Sequence, residues 1–314
     1  MGAIIPAGQV SWGLQLPIQS QSTRYAQSWE AAAGPDELAA IARAADDAGA
    51  FYVAVCDHVG VPRPADEAMS TTWYDTVATL GWLAAQTTRT HLLSHVYVLP
   101  YRHPLMTAKS FMTLDRLSGG RAILGAGAGH LESEFALLGI DHASRGASVE
   151  AAIGPIRAAF AEEYPTVGGP GAEVGVGMSP RPTRPGGPPI WIGGSSKAAI
   201  TRAARLADGW LPQGPPKMGM SNAIAHIAEV REAAGLPAAF DLGVVAGPVY
   251  LGAPDFDIEP YATVGTAEQL AERLGKFPPK GINQIQLGFR GRDAAEMADQ
   301  VRRFGAEVAP LLAG

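Results

Sequence analysis

Two titratable side chains, Asp57 and His58, follow directly on the apolar run 51–55. A carboxylate beside an imidazole where a buried strand ends could move protons near neutrality, since an imidazole titrates at about 6.5 when unperturbed. The same pair could be an Asp cap on a loop with a solvated His. Further along, Ser94 and His95 stand within a β-branched and aromatic run and are followed by "PYRHP". "GAGAGH" (125–130) ends in His130 with Ser133 just beyond, and "GGSSK" (193–197) joins Gly193, Gly194, Ser195 and Ser196 to a cation, Lys197. Glycine turns of this kind either let backbone N–H groups approach an anionic or flat ligand or simply permit close packing. Residue types and spacing leave both readings open. The histidines show no metal-ligand spacing and there is a single cysteine, so no metal site is expected. Cys56 lies in the apolar run and reads as a small buried hydrophobe. His103 reads as ordering a loop beside Pro104, and His91 and His142 read as surface residues. A G-x-S-x-G nucleophile elbow is absent as well.

The elements that must position these residues alternate. Strands are expected at 10–18, 51–55, 90–100, around 121–130, at 190–194, at 210–212, over "FDLGVVAGPVYLG" and over "NQIQLGF", with helical patterns between most of them. Pro104 and Gly119 bracket one helix in the positions that start and stop helices. Thr266 and Gln269 have capping-box spacing at the start of another. Pro155 should kink the helix around 147–160 or mark its true start. Eight strands alternating with helices predict an α/β fold, a (β/α)8 TIM barrel with loop insertions at its C-terminal mouth. The whole chain, 1–314, is expected to form one domain, with a Gly/Pro-rich excursion at about 161–188. A doubly wound dinucleotide fold is disfavoured, because "GAGAGH" has His130 at the third glycine position and follows the fourth strand rather than the first. In a barrel the strand C-termini form the active-site mouth, and four adjacent strand ends carry the polar and glycine-rich residues named above.

The stretch "LLSHVYVLPYRHPLMTAKSFMTLDRLSGGRAILGAGAGHLESEF" (92–135), with "CDH" before it and "PPIWIGGSS" after it, resembles the luciferase-like flavin and deazaflavin oxidoreductases, and among them the branch that uses coenzyme F420. The resemblance spans nearly the whole chain. It implies a barrel whose mouth binds the deazaflavin ring, with the phosphate-bearing tail at the glycine turns. By motif position Asp57 and His58 match a pair in which the Asp contacts cofactor and the His donates or accepts a proton. Ser94–His95 falls where the family places a non-prolyl cis peptide against one face of the ring. Ala128, Gly129, His130 and Ser133 match cofactor positions after the fourth strand, and Gly193, Gly194, Ser195 and Ser196 those after the fifth. The chain departs from the sugar-phosphate dehydrogenase pattern: His130 replaces a Glu, and no Trp follows the Asp-His pair. A sugar-phosphate substrate is therefore not carried over.

The function implied is an F420-dependent oxidoreductase moving a hydride between deazaflavin C5 and a small organic substrate, by reduction of C=C or C=N or by alcohol oxidation. The alternatives are an FMN-dependent two-component monooxygenase and a non-catalytic flavin-binding protein. A separate F420 or flavin reductase could serve as a partner, and a homodimer is the state the resemblance implies. The loops 59–75, 213–220 and 253–265 carry Trp73, Tyr74, Met218, Phe256 and Tyr261, which suit either an apolar substrate pocket or a subunit interface. With 47% hydrophobic and 17% charged residues the chain can bury a large core. A net charge of −6 with scattered cations sets nucleic acid aside as a partner. The N-terminus lacks signal-peptide features and no apolar run is long enough for a membrane span, so a cytoplasmic location is expected.

Overall fold

The computed structural model describes residues 2–23, 25–166 and 175–312. Residues 167–174 of the Gly/Pro-rich excursion lie outside the described residues. The strands are β1 (Ser11–Gln15), β2 (Tyr52–Val55), β3 (His91–Ser94), β4 (Tyr97–Val98), β5 (Ala122–Gly127), β6 (Ile190–Ile192), β7 (Gly209–Trp210), β8 (Asp241–Leu251), β9 (Thr263–Gly265) and β10 (Gln284–Phe289). Their pairings are parallel, and the ring closes where β10 pairs with both β8 and β1, Ser11 lying opposite Gln284. Counting β3 and β4 as one interrupted strand and leaving out β9, which extends β8 on the outside, the result is a closed eight-stranded parallel barrel. That is the expected (β/α)8 fold.

Strands such as β2, β5 and β6 are short and apolar on consecutive residues because both their faces are buried. Their alternation separates two packed zones. Val53 and Val55 of β2 join the large cluster between barrel and helices, whereas Tyr52 and Ala54 point inward with Leu93, Ile123, Trp191 and Leu211. The floor of the barrel is closed by the N-terminal segment. The Gly2 amide donates to Asp208, and the amides of Ile4 and Ile5 donate to the fully buried Asp241 at the start of β8.

The helices are α1 (Pro35–Asp47), α2 (Asp66–Met69), α3 (Thr76–Gln86), α4 (Pro104–Ser118), α5 (Glu132–Leu137), α6 (Arg145–Ala161), α7 (Lys197–Leu206), α8 (Met220–Ala233), α9 (Ala267–Leu274), α10 (Ala294–Arg303) and α11 (Ala309–Leu312). Pro104 opens α4 and Gly119, at φ +70°, ends it. The Thr266–Gln269 capping box is formed at α9. Pro155 does not mark a helix start: α6 begins ten residues earlier and runs through it. The carbonyl left without a partner by the missing N–H belongs to Ala151, which is exposed, so water can satisfy it. Four elements go beyond the sequence pattern: β9, the single turns α2 and α11, and α8. Helix α8 buries only Ala223, Ile227 and Arg231, too few to show as an apolar stripe. Among the described residues no helix is long and apolar enough to cross a membrane.

Candidate active site

The end of β2 delivers Asp57 and His58 to the mouth in opposite senses. Asp57 is buried, 4% exposed. Its two oxygens receive four donors: the Val98 amide (2.8 Å), both terminal nitrogens of Arg102 (2.6 and 2.8 Å) and the Thr76 hydroxyl (3.1 Å). The Arg102 guanidinium also lies over the Tyr97 ring, 4.1 Å from its centroid. A bidentate, largely buried pair of this kind is a geometric clamp. It ties β2 to β4 and to the turn at 99–102. Asp57 was expected either to orient His58 or to hold a cofactor; the His58 ring is instead met by another carboxylate, and Asp57's own contacts go to Val98, Arg102 and Thr76.

That carboxylate is Glu134 of α5, with no exposed surface. One oxygen lies 2.8 Å from His58 Nδ1 and accepts from the Tyr101 hydroxyl at 2.8 Å; the other accepts from the Val59 and Gly60 amides at 2.6 and 3.1 Å. Burial raises its pKa, but the hydrogen bonds from His58, Tyr101 and the backbone outweigh that and bring it down to about 2. An ionised Glu134 only accepts, so His58 Nδ1 carries a proton. Nε2 makes no hydrogen bond among the described residues and is the nitrogen left for chemistry. Burial and the Glu134 carboxylate push the Tyr101 phenol well above its usual range, keeping it a donor. His58 is set between two further rings, Trp73 at 4.4 Å and His130 at 5.7 Å between centroids. Desolvation, followed by the neighbouring His58, depresses the His130 pKa.

The third barrel strand breaks at its mouth end. The His95–Val96 peptide is cis, one bond later than the Ser94–His95 position expected from the resemblance. Ser94 is still held in the ladder, its hydroxyl bridging the Gly125 N–H and C=O at 3.0 Å each, and the His95 amide still bonds to Val55. The chain therefore leaves the ladder only after His95. Neither side chain opens to the mouth: Ser94 is fully buried and His95 is 3% exposed. The His95 ring points into the barrel, with Nε2 3.2 Å from the Leu211 carbonyl and Nδ1 3.0 Å from the Gln286 amide nitrogen. Burial depresses its pKa to about 4, so the ring is neutral. Gln213 donates to the His95 carbonyl from the neighbouring loop.

The packing reading of the glycines prevails on the β5 side. A Cβ at Gly127 would stand 2.3 Å from Val96 and one at Gly193 2.5 Å from it, so these two residues form the slot that seats Val96. A Cβ on Gly129 would press on Val98 and Phe135. Ala128 and Gly129 are half-buried, and Ser133 lies at the start of α5 with no hydrogen-bond partner for its hydroxyl among the described residues. After β6, Gly194 takes φ +98° and its carbonyl accepts from Trp210 Nε1. The Ser195 hydroxyl donates to the Gly214 carbonyl, and the Ser196 oxygen accepts from the Ala199 amide as the cap of α7. The Ser195 proton is spent on Gly214, whereas Ser196 only accepts, so the groups left for an anion at this turn are the Ser196 O–H, the first backbone N–H groups of α7 and exposed Lys197. An anionic cofactor thus fits the turn through its backbone, Lys197 and the Ser196 hydroxyl.

His58, His130, Trp73, Tyr101 and Glu134 come together beyond the end of β2, and Val96 packs with Gly127 and Gly193 at the ends of β5 and β6. Glu134, Tyr101 and Arg102 have no role in the sequence reading. The signal for Glu134 was its spacing: with Leu131, Phe135 and Leu138 it falls on the buried side of a short helix, where a carboxylate must be partnered. Among the described residues no group of three or more His, Cys, Asp or Glu side chains is placed to hold a metal ion.

Comparison with known proteins agrees with this architecture. Residues 11–259 match the family model described as luciferase-like monooxygenase. An uncharacterized protein of Mycobacterium tuberculosis is 30% identical over 282 residues, covering 84% of this chain and 90% of that protein. The 5,10-methylenetetrahydromethanopterin reductase of Methanopyrus kandleri is 27% identical over 281 residues, 77% of this chain and 76% of that one. Two solved structures share the fold. The coenzyme F420 dependent tetrahydromethanopterin reductase from Methanopyrus kandleri has a TM-score of 0.73 at 18% identity, covering 96% of this chain and 99% of that one. The monooxygenase RslO1 from Streptomyces bottropensis has a TM-score of 0.74 at 21% identity, covering 95% and 99%.

Proposed function

The chain belongs to the luciferase-like monooxygenase family, and on that premise we propose that it is an F420-dependent oxidoreductase acting on a small organic substrate, with His58 as its acid or base. The observation that carries the reading is the His58–Glu134 pair, 2.8 Å apart at the barrel mouth with His58 Nε2 left without a protein partner among the described residues. A hydride transfer that creates or consumes charge on a substrate oxygen or nitrogen needs such a group. A bound deazaflavin supplies a two-electron hydride donor or acceptor at C5. The remaining work falls to the chain. Glu134 fixes the His58 tautomer and offsets the imidazolium charge when Nε2 takes a proton; Tyr101 keeps Glu134 ionised and in place. Asp57 and Arg102 hold β4 against β2, and Val96 sits in its glycine slot at the ends of β5 and β6. Trp73 and His130 flank the imidazole and limit water around it. The reactions that suit this arrangement are reduction of C=C or C=N and oxidation of an alcohol.

The similarity to the methanopterin reductase, over 77% of this chain and 76% of that one, supports a reductase over an oxygenase. An FMN-dependent two-component monooxygenase is the second reading, favoured by the fold shared with a Streptomyces monooxygenase. Titration of the purified protein with oxidised F420 and with FMN, followed by tryptophan fluorescence, separates them. Micromolar binding of F420 with weak FMN binding is expected, and a preference for FMN overturns the proposal. Once a substrate is found with reduced F420, His58→Ala is expected to lower turnover by about 10²–10⁴-fold while leaving F420 affinity within a few-fold. Undiminished turnover removes the acid/base role.

A further inference from the structure

Past the end of β1 the chain turns at Ile18, which is fully buried and stands at φ +68°. A β-branched residue keeps that conformation only where its surroundings impose it. Here they centre on Glu30, in the short 3-10 turn Ser28–Ala32 and 3% exposed. One of its carboxylate oxygens accepts the Ile18 amide and the other the Gln27 amide, each at 2.8 Å. The Glu30 carbonyl accepts from the Gln21 side chain at 2.9 Å. Residue 30 thus holds both ends of the segment 18–21.

That segment is stitched to the candidate site on two sides. Gln19, fully buried, accepts the Cys56 amide on its side-chain oxygen and the Tyr74 amide on its carbonyl. The Gln21 amide donates to the Thr72 carbonyl, and Ser20 lies opposite Trp73 in an antiparallel bridge. Trp73 Nε1 in turn donates to the Met69 and Ser70 carbonyls, both at 3.2 Å. Ser70, at φ +61°, is the other non-glycine residue of positive φ among the described residues. Both unfavourable backbone conformations therefore stand at the supports of one side chain, the Trp73 ring that packs 4.4 Å from His58.

We propose that Glu30 is a positioning residue of the candidate active site, fixing Trp73 against the His58 imidazole through the segment Ile18–Gln21. The inference rests on the acid/base reading of His58 and deepens it. Among the described residues Glu30 hydrogen-bonds to neither ring, so its effect passes through the backbone. Glu134 sets one edge of the imidazole by its hydrogen bond to Nδ1. Packing against Trp73 restricts tilt about that bond and keeps Nε2 in one direction, which a proton transfer requires. A glutamine at position 30 has one acceptor oxygen where the carboxylate has two, so either the Ile18 or the Gln27 amide would be left facing an NH2 group.

The test follows the tryptophan indole N–H resonances of the full chain by NMR, with the Trp73 signal assigned through Trp73→Phe. In Glu30→Gln the Trp73 signal is expected to shift or broaden, while those of Trp191 and Trp210, buried in the barrel, stay in place. Turnover with reduced F420 and a substrate is expected to fall about 10–100-fold per folded molecule, with KM within about twofold of wild type. Gln21→Ala, which cuts only the hydrogen bond to the Glu30 carbonyl, is expected to move the same signal by less, and it carries the test if Glu30→Gln does not fold. An unmoved Trp73 signal in a folded variant overturns the hold on Trp73. A moved signal with unchanged turnover overturns the positioning role. The acid/base reading of His58 survives both results. If His58→Ala keeps full turnover, that reading and this inference fall together.

Discussion

At the residue scale the site turns on which carboxylate serves the imidazole. Asp57 is adjacent to His58 in sequence, yet alternation along the chain sends neighbouring side chains to opposite sides. Asp57 is committed to Arg102 and the Val98 amide, while Glu134, 76 residues away, takes Nδ1. The two carboxylates should therefore fail differently. Glu134→Gln removes the charge opposite His58 and leaves a buried amide facing two backbone donors. Turnover is expected to fall about 10–100-fold, with a stability loss of about 1–3 kcal/mol, read from kcat and from urea melts. Asp57→Asn strands most of the Arg102 charge and is expected to cost about 3 kcal/mol of stability. In the folded fraction, His58 should keep its Glu134 contact. An Asp57→Asn protein as stable as wild type would show that the clamp matters little to the fold.

At the element scale the wall at the ends of β5 and β6 is a fit between strands. Val96 stands off the ladder between β3 and β4, and it fills space that exists only because Gly127 and Gly193 lack side chains. Gly193→Ala places a methyl 2.5 Å from a Val96 methyl and is expected to destabilise by about 1–3 kcal/mol, as overpacking does. Combining it with Val96→Ala should recover part of that loss, since the two groups occupy the same space. Additive effects in thermal melts would show that the contact is not shared.

On the scale of the whole molecule, the buried polar groups set how the barrel responds to acid. His95 titrates at about 4 in the fold against an ordinary 6.5. Between those values the unfolded chain binds a proton that the native one does not. Its contribution is therefore complete above pH 6.5 and is lost as the pH falls to about 4, a loss of about 3 kcal/mol. Glu134 acts over a lower window. Its folded pKa of about 2 lies below the usual 4.5, so its contribution is present above pH 4.5 and is lost as the pH falls towards 2. Urea melts from pH 7 to pH 3 should show stability declining through both windows. His95→Gln is expected to flatten most of the upper decline and leave the lower one; an unchanged upper slope would assign it to other groups.

The (β/α)8 barrel was legible in the chain because its signals are local. Apolar runs such as 51–55 become strands covered on both faces, and Pro104, Gly119 and the Thr266–Gln269 pair mark helix ends through their own backbone chemistry. The expectation that the strand ends, and His58 among them, carry the site followed from that topology. The partners did not. Which carboxylate reaches His58, why glycine stands at 127 and 193, and where the bulge leaves the ladder depend on residues from different strands meeting in space. Sequence adjacency suggested Asp57; closure of the barrel brought β5 and α5 beside the end of β2 and handed the task to Glu134. Side-chain direction along a strand is a property of the chain alone, but the identity of what a side chain meets is decided only when the sheet closes.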